Sequence, residues 1–360
     1  MSNELSDDIL IDGFISALEG VPDTHAHISS REVDLGPGRA DFIVEARIGG
    51  QPIRFLVGAK RTAFPRDVRE AIWQLRNYLA HMPNDGAQII PMMIADTISP
   101  GAKSLLRDEK LGYYDTSGSL YAPAHGAFLF IDKPIPKRQA RSTNVLFMGR
   151  RAQVLHAIWV HQEDWFGVHE IAKRAMVSPA TASETLIALE RREWVVARGS
   201  GPAKERRLSD RSSLLDAWAA YQTSTKPPPL RHYFVRAPKI ADLIRRLDHA
   251  AAERDMLYAI TGGAAGQAYA PYLSTISQLH CRFPIGPGAE AVLQSIDARP
   301  VREGWNLGVI DSRSSGDFAF RERVNDAWFA DPLQAYLDLL QAGGRSKELA
   351  EHLRTERLST

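Results

Sequence analysis

Two groups of residues in this chain have the types and spacing to do chemistry. In the first, Ser178, Thr181, Ser183, Glu184 and Thr185 lie close together, with Lys173 before them and Arg198, Lys204, Arg206 and Arg207 after them. Short hydroxyl side chains approach base edges closely, and a carboxylate accepts from a cytosine amine while repelling phosphate. Guanidinium and ammonium groups neutralise phosphates without reading sequence. The second group is Asp41 and Lys60, followed by Glu70, Gln74 and Tyr78 at i, i+4 and i+8. Other tempting residues lack a chemical context. Cys281 is the only cysteine, which excludes a disulfide framework and a cysteine-based zinc site. His25 and His27 near Asp23 have no further clustered ligands and read as a surface strand. Gly262-Gly263-Ala264-Ala265-Gly266 lacks the lysine and hydroxyl of a phosphate loop and reads as a tight strand-to-helix turn. No cofactor and no metal are expected.

The first group needs a particular scaffold, and the flanking sequence supplies it. From Met148 to Gln162, Val154, Leu155, Ile158 and Trp159 form a helical stripe. Val168, Ile171, Ala172 and Ala175 form a second, shorter one. Ser178 stands at an N-cap and Pro179 at the first helical position, where its missing N–H costs nothing. Behind them Ala182, Leu186 and Leu189 face inward. Trp194, Val195 and Val196 open a strand, and Gly199-Ser200-Gly201-Pro202 turns the chain toward the basic residues. Helix, turn, helix and basic ribbon is the order of a winged helix-turn-helix, whose second helix enters the major groove. The alternative is the same architecture used for a protein contact. Trp159, Trp165 and Trp194 read as packing rather than as base-stacking platforms.

Length and composition set the frame. The chain has 360 residues, 44% hydrophobic and 24% charged, enough for two or three ordinary globular domains. Its net charge of +1 conceals an uneven distribution. Residues 1–35 hold eight acids against one base, whereas Lys133–Arg151 holds six bases and no acid. A basic stretch entering the helix-turn-helix is either a DNA-backbone contact or a solvated linker. The segments starting at Lys133 (KPIPKRQARS) and at Thr223 (TSTKPPPL) read as linkers. They bound three parts: 1–140, a winged helix at 148–215, and 228–360. The first alternates helices and strands as a mixed sheet with flanking helices, and the last is α/β; a strand is expected over Asp317–Phe320. The acidic N-terminus is unlike a signal peptide and no apolar run reaches membrane-spanning length, so a cytoplasmic protein is expected.

The first part, through ADFIVEARIGG, RFLVGAKR and VREAIWQLRNY, resembles the PD-(D/E)xK restriction-endonuclease-like fold. The resemblance implies that Asp41, Lys60 and the helix bearing Glu70 and Gln74 descend from a site that holds a divalent metal and orients water. Here Gly58 stands where the family has its second acid, and glycine offers no oxygen to the ion. An inactive domain is therefore expected, not an enzyme. The remnant could still hold DNA through Lys60, Arg61, Arg66 and Arg69.

The segments YAITGGAAGQAYAP and DPLQAYLDLLQAGGRSKELAEHL, downstream of the winged helix, resemble AbiEi-type antitoxins of type IV toxin–antitoxin systems. GAKR, QLRNYL and ISPGAKSLLRDEKLGYYDTSGSLY resemble the nuclease-like region of larger members. The resemblance implies a transcriptional regulator that represses its own operon and counteracts a cognate toxin protein. The expected partner is double-stranded DNA, bound by a homodimer on an inverted repeat in the usual manner of such modules. The rival is a metal-dependent endonuclease targeted by its winged helix.

Overall fold

The computed structural model describes residues 4–34, 39–82, 87–124, 127–133, 145–161, 165–272 and 275–359. Most of the basic linker expected after Lys133 lies outside the described residues. The chain divides into two compact units, residues 1–143 with 187–193, and residues 144–186 with 194–360. Among the described residues, no helix is long and apolar enough to cross a membrane.

The first unit is a mixed α/β structure built on one sheet. Its elements run α1 (Glu4–Glu19), β1 (Thr24–Asp34), β2 (Arg39–Ile48), β3 (Gln51–Ala63), α2 (Pro65–Leu79), β4 (Gln88–Ile98), α3 (Pro100–Asp108), β5 (Gly112–Asp115), β6 (Leu120–Ala124) and β7 (Ala127–Ile131). The seven strands lie side by side in chain order. β1, β2 and β3 are antiparallel neighbours, and β4 runs parallel to both β3 and β5. This mixed sheet is consistent with the restriction-endonuclease-like fold expected from the sequence.

Strand alternation gives the sheet two buried faces, because successive side chains point to opposite sides. Phe42, Val44, Phe55, Val57, Met92 and Ile94 pack with Leu10, Ile11, Phe14 and Leu18 of α1. Ile43, Leu56, Met93 and Ala95 pack with Val68, Ala71, Ile72 and Leu75 of α2, and with Ala102 and Leu106 of α3. Both helix starts carry local signals. Pro65 and Pro100 hold the first helical positions; Ser99 Oγ accepts from the Ala102 N–H at 3.3 Å, and the Asp67 carboxylate accepts from the Phe64 N–H at 3.0 Å.

The second unit opens with α4 (Gly149–Trp159), α5 (Val168–Arg174), α6 (Pro179–Arg191), β8 (Val195–Arg198), β9 (Glu205–Leu208) and α7 (Arg211–Ser224). The last five residues of α6 count with the first unit. α7 is capped by Asp210, which accepts from the Ser213 N–H at 2.9 Å, and it runs past residue 215. The rest comprises β10 (Leu230–Phe234), α8 (Ile240–Ala252), β11 (Ala259–Thr261), α9 (Gly262–Tyr269), β12 (Leu279–Pro284), α10 (Pro287–Ser295), β13 (Arg299–Pro300), β14 (Leu307–Ser312), β15 (Glu322–Val324), β16 (Ala327–Phe329), α11 (Pro332–Ala342) and α12 (Arg345–Leu353). Its strands form a second mixed sheet, in the order β13-β10-β14-β12-β11-β16-β15.

The strand expected over Asp317–Phe320 is instead a 3-10 turn at Ser315–Phe318. Ser314 Oγ accepts from the Gly316 N–H at 3.2 Å, a local side-chain bond that competes with the ladder. The glycines after β11 have separate packing reasons. Gly262 has φ +61°, in the left-handed region that closes the strand-to-helix turn. A Cβ on Gly266 would sit 2.8 Å from Leu349 and 3.0 Å from Leu339, so α9 packs closely on α11 and α12. Gly343 and Gly344, with φ +72° and +55°, separate α11 from α12 as the paired glycines imply.

A buried ion pair ties this sheet to α11. Arg282 donates to Asp338 at 2.5 and 3.1 Å, and Thr261 Oγ1 and Gln334 Nε2 donate to the same carboxylate at 2.5 and 2.9 Å. The two charged side chains are 13% and 6% exposed. Removing one member strands the other charge, which typically costs about 3–5 kcal/mol. Asp338→Ala is therefore expected to lower the chemical-denaturation midpoint by that equivalent.

Candidate nucleic-acid interface

The turn between α5 and α6 is closed by the backbone. The Val177 N–H donates to the Ala172 carbonyl at 2.9 Å, and the Met176 N–H donates to the Lys173 carbonyl at 3.2 Å. Met176 itself takes φ +55°. These bonds form the 6→1 closure of a helix end, here with a methionine where glycine is commoner. α6 then starts as its sequence requires. Ser178 Oγ accepts from the Thr181 N–H at 3.2 Å and lies 2.9 Å from Thr181 Oγ1.

α6 buries Ala182, Thr185, Leu186 and Leu189, a stripe at i, i+3, i+4 and i+7. Thr185 belongs to that inner face: it is 0% exposed, and its hydroxyl donates to the Thr181 carbonyl at 2.7 Å. Ser178 and Glu184 are exposed, while Thr181 and Ser183 are half-buried on the outer side. Glu184 pairs with Arg151 at 3.2 Å. That pairing partly neutralises the carboxylate on the outer side of α6. Lys173 is exposed at the end of α5.

The ribbon is held to the helices by one backbone bridge. The Phe166 N–H donates to the Arg206 carbonyl at 2.8 Å, and the Arg206 N–H returns to the Phe166 carbonyl at 2.9 Å. β8 and β9 pair with Ala197 opposite Arg206 and Arg198 opposite Glu205. Gly199 turns the ribbon at φ +72°, where a Cβ would lie 2.8 Å from the Ala203 carbonyl oxygen. The bridge decides which arginines face out. Arg206 is 3% exposed, so its guanidinium is no grip for phosphate. Arg207 and Arg198 are exposed, and their guanidiniums sit 5.2 and 4.2 Å from the Trp165 ring centre. Arg198 also pairs with Glu205 at 2.7 Å. Lys204 is half-buried beside them. Thr185 and Arg206 therefore leave the outward set, and the other eight residues expected to contact DNA remain at or near the surface.

Trp165 is half-buried and lies against both arginines. Arg151 is a further contributor: it lies on α4, and its partner Glu184 is 33 positions away, so no sequence spacing announces the pair.

In the first unit, Asp41, Gly58, Lys60, Gln74 and Tyr78 line one cavity of about 50 Å³, room for one or two waters. Alternation along β3 puts Gly58 and Lys60 on the α2 side, and a Cβ on Gly58 would point at Leu75, 3.7 Å away. Asp41 accepts from the Ala59 N–H at 2.7 Å. Glu70 is exposed and is not among the residues lining the cavity. Among the described residues, no group of three or more acids, histidines or cysteines is arranged to hold a metal ion. Arg66 and Arg69 pair with Glu190 and Glu193 at 3.3 and 2.8 Å, and Asp67 with Arg191 at 2.8 Å, all within this unit. Those pairs offset the charge that Arg66 and Arg69 would otherwise offer to phosphate. Burial, reinforced by Arg191, lowers the pKa of Arg192 to about 10.

Comparison with known proteins adds little to this geometry. No family model matches the chain, and no curated protein matches it. Two solved structures show a weak likeness. One is a repair endonuclease from Pyrococcus abyssi, at 18% identity over 30% of this chain and 46% of that one, with a TM-score of 0.23. The other is an EndoMS–dsDNA2 complex, at 19% identity over 31% and 42% of the respective chains, also with a TM-score of 0.23. The matched part spans less than half the length of either protein.

The two ribbon arginines are expected to separate in a melting experiment. Arg206→Ala removes a buried side chain and should cost about 1–3 kcal/mol, whereas Arg207→Ala should stay within about 0.5 kcal/mol of the parent. Equal destabilisation at both positions would contradict the assigned faces.

Proposed function

We propose that the chain is a sequence-specific duplex-DNA-binding regulator that reads DNA through α6 and the β8–β9 ribbon. The observation that carries this reading is the Ser178-capped start of α6. Its outward residues are small or polar, and a helix start with free N–H groups favours a phosphate. In this reading Ser178, Thr181, Ser183 and Glu184 face base edges, while Lys173, Arg198, Lys204 and Arg207 contact the backbone. Thr185 and Arg206 support the scaffold from inside. The middle segment then acts as a winged helix-turn-helix between a nuclease-like first part and an α/β last part. The AbiEi resemblance extends the proposal to autorepression, to neutralisation of a toxin protein and to a homodimer on an inverted repeat.

A gel shift on the DNA upstream of the chain's own coding sequence tests the reading, and absence of binding at low salt would sink it. The double variant Arg198→Ala with Arg207→Ala is expected to weaken binding across sequences. It should also flatten the dependence of log K on log salt by about 0.9 for each phosphate that is no longer neutralised. Thr181→Ala should instead relax preference at one position of the site, by about 1–3 kcal/mol.

We further propose that the first unit does not cut DNA. Gly58 contributes no oxygen to the cavity that holds Asp41 and Lys60, and magnesium needs its few carboxylates. The matching experiment is nicking of supercoiled plasmid with magnesium or manganese. The parent chain should cut no faster than Lys60→Ala; cutting that disappears in Lys60→Ala would establish the endonuclease reading in its place.

A further inference from the structure

The second unit holds a cleft of about 620 Å³ that the DNA-reading surface does not use. Its volume lies in the range of small-molecule sites. Among the described residues, four arginines line it: Arg174 at the end of α5, Arg211 at the start of α7, Arg321 just before β15, and Arg357 near the C-terminus. The buried His161 lines it too, and its Nε2 has no hydrogen-bond partner.

What anchors these cations matters more than their number. Arg211 donates to the Trp159 carbonyl at 3.1 Å and lies 4.4 Å from the centre of that indole, with its buried Nε unpartnered. Arg174 donates to the Val160 carbonyl at 3.4 Å and meets His161 Nδ1 at 3.4 Å. Arg321 donates to the Tyr258 carbonyl at 3.0 Å, and Arg357 to the Tyr269 carbonyl at 2.9 Å. Carbonyls and rings fix a guanidinium in place without cancelling its charge. Each guanidinium has five donors, and these bonds occupy only one or two of them.

Two acids line the cleft against the four arginines. Asp331 is 2% exposed and is committed to His156 Nε2 at 2.8 Å and to the Gln334 N–H at 3.3 Å. Glu322 is exposed; burial and Asp331 raise its carboxyl pKa, and Arg357 opposes the rise. Burial lowers the pKa of Arg211 and of Arg321, so these two charges are partly desolvated while Arg174 and Arg357 are exposed, and an anion joining them offsets that cost. Several guanidinium forks around one space match an anion with many oxygens, as a phosphate is. Phe320, Pro332 and Leu333 add an apolar wall for an organic portion.

We propose that this cleft binds a small phosphorylated anion of about mononucleotide size, and that its occupancy changes DNA affinity. The second clause rests on the DNA-binding reading; the first does not. Arg174 ends α5, four residues before Ser178, and Arg211 follows β9 by three residues, so one anion would touch the residues that lead into α6 and out of the ribbon. Gathering them toward Arg321 and Arg357 favours one arrangement of helix and ribbon over others. Coupling requires a ligand that binds those arrangements unequally.

Calorimetry on the full chain tests the site, with ADP, pyrophosphate and inorganic phosphate as probes and adenosine as the uncharged control. ADP or pyrophosphate should bind, adenosine should not, and Arg321→Ala with Arg357→Ala should weaken binding by about tenfold or more. ADP binding well above pyrophosphate identifies a nucleotide site; the reverse order identifies free phosphates. No binding by any charged probe, or equal binding by parent and double variant, overturns the site. A gel shift at matched ionic strength tests the coupling: the bound probe should change parental DNA affinity by about threefold or more and leave the double variant unchanged. Unaltered DNA affinity with a bound probe overturns the coupling alone. Weaker DNA binding by the double variant without any probe assigns these arginines to the DNA backbone and overturns the proposal. If no DNA binds under any condition, the DNA-binding reading fails while calorimetry still decides the site.

Discussion

The surface proposed to read DNA depends on two backbone hydrogen bonds between Phe166 and Arg206. A two-stranded ribbon of four residues a side is marginal alone in water. Joined to Phe166, it becomes the edge of a small sheet backed by the helices, and its two faces cease to be equivalent. Everything about the ribbon's charge follows from that inequality. Arg206 turns inward, and Arg198 and Arg207 turn outward around Trp165. The same constraint fixes where α7 begins, because β9 ends at Leu208 and Asp210 caps the next helix. The cleft arginine Arg211 is therefore tied to the ribbon by a short and fully structured path.

The first unit shows a comparable dependence on strand alternation. Once β3 packs Phe55 and Val57 against α1, Gly58 and Lys60 must face α2. Asp41 and Lys60 line one small cavity. The carboxylate that would complete it is missing, and Glu70 of α2 does not fill the place, since it is exposed to solvent. A sheet buried on both faces is maintained by its apolar pattern alone, whether or not the polar residues at its edge still do anything.

Legibility in the sequence followed the range of the interaction. Ser99-Pro100, Ser178-Pro179 and the glycine pair before Arg345 each announce a helix end within a few residues, and the structure places helix ends there. The alternation of helices and strands in the first part implied a mixed sheet, and the first unit holds one. Arg206 was not readable as buried, because the ribbon's inner face is set by Phe166, far earlier in the chain. Thr185 was misplaced for a related reason: its hydroxyl suggests a base contact, yet Ala182, Leu186 and Leu189 already define the inner stripe it joins. The Arg151–Glu184 pair and the four-arginine cleft arise from residues brought together only by packing. Asp317–Phe320 failed locally, because Ser314 captures the Gly316 N–H and turns the chain.

Charge ties these observations together. A net charge of +1 gives no global attraction to a polyanion, so any such attraction must be local. Much of the local charge is already matched: Arg66, Arg69, Arg198 and Arg282 all have carboxylate partners. A carboxylate partner reduces what an arginine adds to an anion's binding without abolishing it, so Arg207 contributes more than Arg198 to the proposed DNA contact. The cleft differs because its arginines rest on carbonyls and rings, which orient them and leave their charge intact. Orientation without neutralisation is the arrangement an anion site requires, and here it lies at the end of α5 and the start of α7, next in the chain to the elements proposed to read DNA. On the proposed reading, binding of one polyanion through a modest surface is governed by a second, much smaller anion.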